Sequence, residues 1–420
     1  QLKMAPALHL DLAIIGSGPA GLAAAVKAKQ LGIKDVVVFE RDERPGGILP
    51  QCIHNGFGLQ KFKEELTGPE YARRYIQMAT DHYVDIELNT MVLEIDKNRT
   101  LSAVSEHGGL RNYQCKSIIL AMGCRERPRG AIGIPGTRPA GVFTAGQAQR
   151  MVNIEGYMPG ETAVIQGSGD VGMIMARRLT LEGAEVKAVT EIQPYTSGLI
   201  RNEVQCLHDF DIPLLLSHTV AEIHGDKRVE GVTITEVDAG WNPVAGSEKF
   251  IECDTLLLSV GLIPENELSK MAGVALDPRT GGAYVNEFLE TDVFGIFSCG
   301  NVLHVNDYVD EVSTEGEIAA RGARHHIKGK LAGEKNLIAV EGNETIGQIV
   351  PQAINGQRPV TFYIRITRPM EKLTLRIGDI FEKKFAYARP SEMMRVRLPK
   401  KILAEMKPAI TRLNVSCEER

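Results

Sequence analysis

The apolar positions of this chain fall into short, sharply bounded runs, and the same succession of runs occurs twice. An apolar stretch at 12–15 leads through glycines into an alanine-rich segment, and one at 163–165 leads likewise into a leucine-containing segment. Continuous apolar runs of this length read as strands buried on both faces of a parallel sheet, and the segments after them as helices. Later in each half, 113–123 and 251–261 share a pattern: a polar start with a cysteine (Cys115, Cys253), then apolar residues, then a glycine. Between them, at 86–104 and 212–237, short alternating runs separated by turn residues predict β-rich stretches. From about 335 the character changes. Runs at 360–367, 372–378, 384–389 and 393–398 predict four short strands in a small domain, basic in part through Arg365, Arg368, Lys372, Arg376, Lys383 and Lys384. Either packing on its own chain or dimer mate, or docking of a partner subunit, would account for it. The predicted fold class is α/β, with two Rossmann-like modules and a small β-rich C-terminal domain.

Both apolar runs end in one glycine frame, Gly16-Ser17-Gly18-Pro19-Ala20-Gly21 and Gly167-Ser168-Gly169-Asp170-Val171-Gly172. Each first glycine is followed 24 positions later by a glutamate, Glu40 or Glu191. One such triplet arises by chance, or as a structural turn that binds nothing; two with the same strand, helix and acid point to two dinucleotides. The first glycine makes the tight turn, the second lets the backbone approach a pyrophosphate, and the third packs helix on strand. The helix start offers unpaired N–H groups and partial positive charge to the phosphates. Pro19 suits a first helical position, where its missing N–H costs nothing. The distal carboxylate accepts from ribose hydroxyls. Glu191 has no arginine after it until Arg201, so it favours a free 2′-hydroxyl and hence NAD over NADP. Asp170 would repel phosphates and is expected to cap its helix, pointing away from them.

On these motifs, with Gly46-Gly47, Ala121-Met122-Gly123 and Cys299-Gly300-Asn301 added, residues 10 to about 330 resemble the pyridine nucleotide-disulfide oxidoreductase superfamily of two-dinucleotide-binding-domain flavoproteins. The resemblance implies an FAD domain at 10–125 and 282–330, an NAD domain at 126–281, and the β-rich domain at 335–420. FAD binding would then fall to Gly16, Gly18, Pro19, Ala20, Glu40, Arg41, Gly47, Ile48, Leu49, Ala121, Gly123, Gly300, Asn301, Thr314 and Glu315. NAD binding would fall to Gly167, Ser168, Gly169, Asp170, Val171, Gly172, Glu191 and Gly261. Asn301 stands where many members have Asp; an amide still bonds a ribityl hydroxyl but adds no charge. A helix from Ser313 to about Lys328, with capping-box spacing between Thr314 and Glu317, would point its positive end at the flavin pyrimidine.

Cysteine placement separates the members. Disulfide reductases of this superfamily carry CxxxxC after the FAD motif or CxxC in the nicotinamide domain, and neither is present. Nor does any CxxC pair anchor a cluster or structural zinc, so no metal is expected. The seven widely spaced cysteines fit a reduced, cytoplasmic protein. A net charge of −5 without a long basic run argues against nucleic acid. No apolar run is long enough for a membrane span. Residues 1–9 lack a signal peptide's features and read as a disordered leader. The leading reading is an FAD/NAD subunit like those of bacterial and archaeal glycerol-3-phosphate, proline or opine dehydrogenases. Its expected partners are a second flavoprotein that oxidises the substrate and, as a further candidate, an iron–sulfur protein; homo-oligomers are compatible. The alternative is a stand-alone NADH oxidase or peroxidase in which Cys52, with His54 nearby, is the redox residue. A third reading is a cofactor-bearing binding protein without catalysis.

Overall fold

The computed structural model describes residues 7–330, 337–406 and 410–419. Residues 1–6 of the expected leader and the expected domain start at 335 lie outside them, while residues 8 and 9 already belong to a strand. The chain forms two compact units, residues 1–124 with 264–420, and residues 125–263.

In the first unit β1 (Leu8–Ile15) is sandwiched between β2 (Val36–Phe39) and the long β6 (Gly109–Leu120), parallel to both. Ile14 sits opposite Val38 on one side and Ile119 on the other. β3 (Asp85–Glu87) extends the parallel array beyond β2. Beyond β6 the alternating residues form β4 (Thr90–Ile95) and β5 (Thr100–Ser105), which turn antiparallel. The last residues of β1, all of β2 and the end of β6 are buried, as two-sided cover requires. α1 (Pro19–Gln30) follows the first glycine loop, and α2 (Gly68–Asp81) starts from a capping box between Thr67 and Glu70.

The second unit repeats the plan. Its five-stranded parallel sheet runs in the order β7 (Val142–Thr144), β14 (Thr255–Leu258), β8 (Thr162–Gln166), β9 (Glu185–Glu191), β10 (Leu214–Leu216). Between β10 and β14 the chain makes an antiparallel trio, β11 (His218–Gly225), β12 (Val229–Glu236) and β13 (Lys249–Glu252). α3 (Asp170–Leu181) follows the second glycine loop and buries Met173, Met175 and Leu179 against β8 and β9; α4 (Ile200–Cys206) comes after β9.

The chain rejoins the first unit at Pro264, earlier than the expected 282. The reason is a buried anchor: Asn266 Nδ2 donates to the carbonyls of Gly281 (2.9 Å) and Val302 (3.0 Å). β15 (Ile296–Ser298) then adds beside β6, and α5 (Val309–Ile327) packs along α1.

The C-terminal strands build two sheets around their own apolar core of Phe362, Ile364, Leu373, Leu375 and neighbours. One sheet holds β16 (Ile338–Gly342), β18 (Ala353–Ile354), β20 (Met370–Ile377), β21 (Phe381–Ala388) and β23 (Arg412–Glu419). The other holds β17 (Ile346–Val350), β19 (Val360–Ile366) and β22 (Met394–Leu398). The sequence pattern predicts four strands; β16, β17, β18 and β23 are additional. The domain is tied to residues 277–287 by Gln352, which donates to Asp277 Oδ2 (2.9 Å) and accepts from Val285 N–H (3.0 Å).

Candidate functional site

The first glycine loop is a turn from β1 into α1 in which Gly16 adopts φ +100°, open to glycine but strained for other residues. Its own N–H bonds Phe39 O (2.9 Å), so β2 fixes the turn. An added Cβ on Gly18 would meet nothing within 4 Å, so open space adjoins the backbone there. α1 begins at Pro19 with no side-chain cap and no acid in its first turn, which leaves its positive end unneutralised. Glu40, at the end of β2, reaches back: Oε2 accepts from Ser17 N–H (2.9 Å) and Oγ–H (2.6 Å), and Oε1 from Asp42 N–H (2.9 Å). The loop serine and the distal glutamate are thus one hydrogen-bonded latch. Gly46 and Gly47 close over the loop. Gly46 N–H bonds Ser17 O (2.9 Å), and a Cβ on Gly47 would come within 2.9 Å of Gly18 Cα. Arg41 and Ile48 are exposed beside it, whereas Leu49 is buried. Ala121 follows β6 and bonds back to Ile15 O, and Gly123 (φ +74°) has open space around it.

The late motif completes this site. Gly300 adopts φ +73°, and a Cβ on it would come within 2.9 Å of Ala20, so the motif lies against the start of α1. Its N–H donates to Glu315 Oε2 (2.7 Å), whose other oxygen pairs with His304 Nε2 (2.6 Å). Both side chains are fully buried, so Glu315 offers no surface to a ligand; it positions Gly300 instead. This corrects its expected place among ligand contacts. Asn301 is half-buried, its Oδ1 accepting from Asn306 N–H (3.1 Å). The expected capping box at Thr314 is also corrected. α5 begins a turn earlier, at Val309, and the Thr314 hydroxyl bonds back to Asp310 O (2.8 Å) inside the helix, while Glu317 pairs with Lys61.

The second loop repeats the latch. Glu191 Oε2 accepts from Ser168 N–H (3.0 Å), Ser168 Oγ–H (2.6 Å) and Ser197 Oγ–H (2.7 Å), and Oε1 from Gln193 N–H (2.9 Å). Ser197 and Gly198 stand six and seven positions after Glu191, as Gly46 and Gly47 do after Glu40. They too close on their loop, Ser197 N–H bonding Ser168 Oγ (2.9 Å). Two expectations change. Gly169 and Gly172 are demanded by Ser259, whose Oγ accepts from Gly172 N–H (3.0 Å) and lies 2.7 Å from where a Cβ on Gly169 would stand. Asp170, expected to cap its helix, is engaged by the segment that covers the loop. Its Oδ1 accepts from Leu199 N–H (2.8 Å) and Asn202 Nδ2 (2.6 Å), tying the covering segment to α3. Val171 is half-buried on α3, and Gly261 (φ +108°) follows β14 beside Arg127.

Cys52 is buried, its thiol donates toward Ile48 O (3.4 Å), and desolvation pushes its pKa up to about 12. A peroxide-reducing cysteine needs the opposite, a stabilised thiolate. His54 is half-buried, its Nδ1 is 3.1 Å from Asn55 O, and its ring lies against Phe57. All seven cysteines are free. The described residues include no cluster of three His, Cys, Asp or Glu able to hold a metal ion, and no helix long and apolar enough to cross a membrane.

Ser17, Ser197, Ser259 and His304 are site residues that the sequence pattern does not single out. The recurrence of serine between the first two glycines, and the shared spacing after each glutamate, were the available signals.

Two parallel α/β units, each with a glutamate latched to a glycine loop, define a protein with two dinucleotide-binding sites. The chain belongs to the pyridine nucleotide-disulphide oxidoreductase family, whose profile matches residues 10–324 and whose members use FAD and NAD(P)H. It is 27% identical over 287 residues to hydrogen cyanide synthase subunit HcnB of Pseudomonas aeruginosa, covering 64% of this chain and 60% of that one. It is 27% identical over 284 residues to a subunit of opine oxidase from Agrobacterium tumefaciens, covering 63% of this chain and 55% of that one. The chain therefore spans less than two thirds of these curated relatives. Among solved structures, thioredoxin reductase of T. acidophilum superimposes with a TM-score of 0.62 at 25% identity, covering 75% of this chain and 97% of that one.

Proposed function

We propose that this chain is an FAD-dependent oxidoreductase that exchanges electrons between NAD(H) and FAD as one subunit of a multi-subunit dehydrogenase. The observation that carries the reading is the doubled latch, serine to glutamate, on two glycine loops in a chain with no paired cysteines. The glycine-loop part of the first unit is assigned to FAD: the open space at Gly18, the uncapped start of α1 and the Glu40 carboxylate fit its pyrophosphate and ribose. The second unit is assigned to NAD, with Glu191 presenting acceptors to the adenosine ribose. Bound FAD supplies the two-electron chemistry; the chain supplies orientation and electrostatics. Gly300 and Asn301 hold the ribityl side, and the N–H groups at the start of α5 favour the charge that accumulates on reduction, offset in part by the acids of its first turn.

A multi-subunit setting is favoured because no dithiol is available to receive electrons, and because both curated relatives are named as subunits. The partner would be a second flavoprotein oxidising glycerol-3-phosphate, proline or a related amine or hydroxyacid, with an iron–sulfur protein between them where one is needed. A cytoplasmic setting fits the free cysteines. Burial of the Cys52 thiol speaks against the peroxidase alternative. Purification from native cells tests the reading: a co-purifying flavoprotein dehydrogenase supports it, and a chain that runs alone and reduces peroxide with NADH overturns it.

A further inference from the structure

The C-terminal β domain reaches the start of α5 and answers two of the three acids there, Asp307 and Glu311 but not Asp310. Glu311, in the first turn and 8% exposed, accepts from the Tyr363 hydroxyl (3.1 Å) and pairs with Arg395. Asp307, just before the helix, pairs with Arg365 and accepts from Met393 N–H (2.7 Å). Arg365 also donates to Val305 O (3.1 Å), locking the approach to the helix. The Tyr363 ring lies 5.6 Å from buried His304, whose Nδ1 has no partner among the described residues.

An acid in a helix's first turn is favourable by itself and needs no arginine brought from a separate domain. Left bare, however, its charge would cancel the partial positive charge of the helix start. The cations thus have a purpose at a site that accumulates negative charge. We propose that the C-terminal β domain is an electrostatic part of the flavin site: Arg395, Arg365 and Tyr363 neutralise Glu311 and Asp307, so that Asp310, held by Lys61 N–H (3.1 Å), is the one acid there not answered by a cation among the described residues. They are positioning residues, acting through the helix. The inference rests on the assignment of FAD to the first unit.

The test is the flavin midpoint potential of purified, FAD-loaded protein, by dye equilibration. Arg395→Met bares Glu311 and should shift the two-electron equilibrium about tenfold toward oxidised flavin, or about 30 mV lower. Glu311→Gln bares Arg395 and should shift it several-fold the other way. The double variant should return to within threefold of wild type. Opposite signs and mutual rescue are not produced by loss of packing. Unchanged potentials in both single variants, or shifts of the same sign, overturn the inference while FAD binding stands. If Arg395→Met does not fold, the Glu311→Gln shift decides alone. Wild-type protein that takes up no FAD overturns the assignment beneath it as well.

Discussion

Removing the Glu40 carboxylate should unlatch the first glycine loop before any cofactor is considered. Glu40→Ala deletes the acceptor of three hydrogen bonds, from Ser17 N–H, Ser17 Oγ–H and Asp42 N–H. Ser17 is fully buried, so two of those donors lose their partner without gaining water. A hydrogen bond to a charged acceptor contributes about 1.5–3 kcal/mol, and a donor left buried and unpaired costs about as much. The three are one network, so their effects do not add, and water entering the vacated space recovers part. The expected loss is about 3–4 kcal/mol, a large share of a typical unit's stability. Ser17→Ala removes the 2.6 Å hydroxyl bond and the longer one (3.4 Å) that the hydroxyl accepts from Gly46 N–H, and should cost about 1 kcal/mol. Urea unfolding of cofactor-free protein, followed by circular dichroism, measures both. The transition of the first unit should move and that of the second stay. Glu40→Ala protein as stable as wild type would refute the latch.

Gly18→Val should separate binding from folding. Its Cβ meets no atom within 4 Å and its φ is −68°, so stability should stay within about 1 kcal/mol while FAD retention on gel filtration is lost; full flavin content in the variant would contradict this. Cys52→Ser should leave NADH-linked dye reduction within a few-fold of wild type, because burial holds the thiol protonated; a variant that loses robust peroxide turnover would show a redox cysteine after all. Stability should fall as pH rises above about 9. Burial raises Cys52 and Cys115 to about 12 and Cys206, Cys253 and Cys417 to about 11. These groups stay protonated when folded but ionise near pH 8.5 when unfolded, so their contribution is complete below that and lost on the way to 11–12. Denaturant midpoints at pH 7, 9 and 10.5 read the slope, and a flat profile for cofactor-free protein would contradict it.

The glycine loops were legible because positive φ at Gly16 and Gly167 leaves a residue-type signature that nothing else satisfies cheaply. The parallel strands were legible because burial on both faces writes an unbroken apolar run. The start of α5 was not, since it follows Tyr308 with no side-chain cap, while Thr314 and Glu317 imitate a cap from inside the helix. Strand β23 carries an alternation, with Leu413, Val415 and Cys417 buried, that is present in the sequence but masked by the charged residues around it. Long-range partners were out of reach: nothing local says that Glu315 holds Gly300, or that Arg395 answers Glu311.

As proposed, this chain passes electrons between NAD(H) and a bound flavin. Stopped-flow bleaching of the FAD-loaded protein, with NADH and NADPH in parallel, follows that transfer itself. Rapid bleaching by NADH and much slower bleaching by NADPH are expected if Glu191 is the carboxylate at the ribose 2′ position, as proposed. Equal rates, a preference for NADPH, or no bleaching by either nucleotide would contradict it.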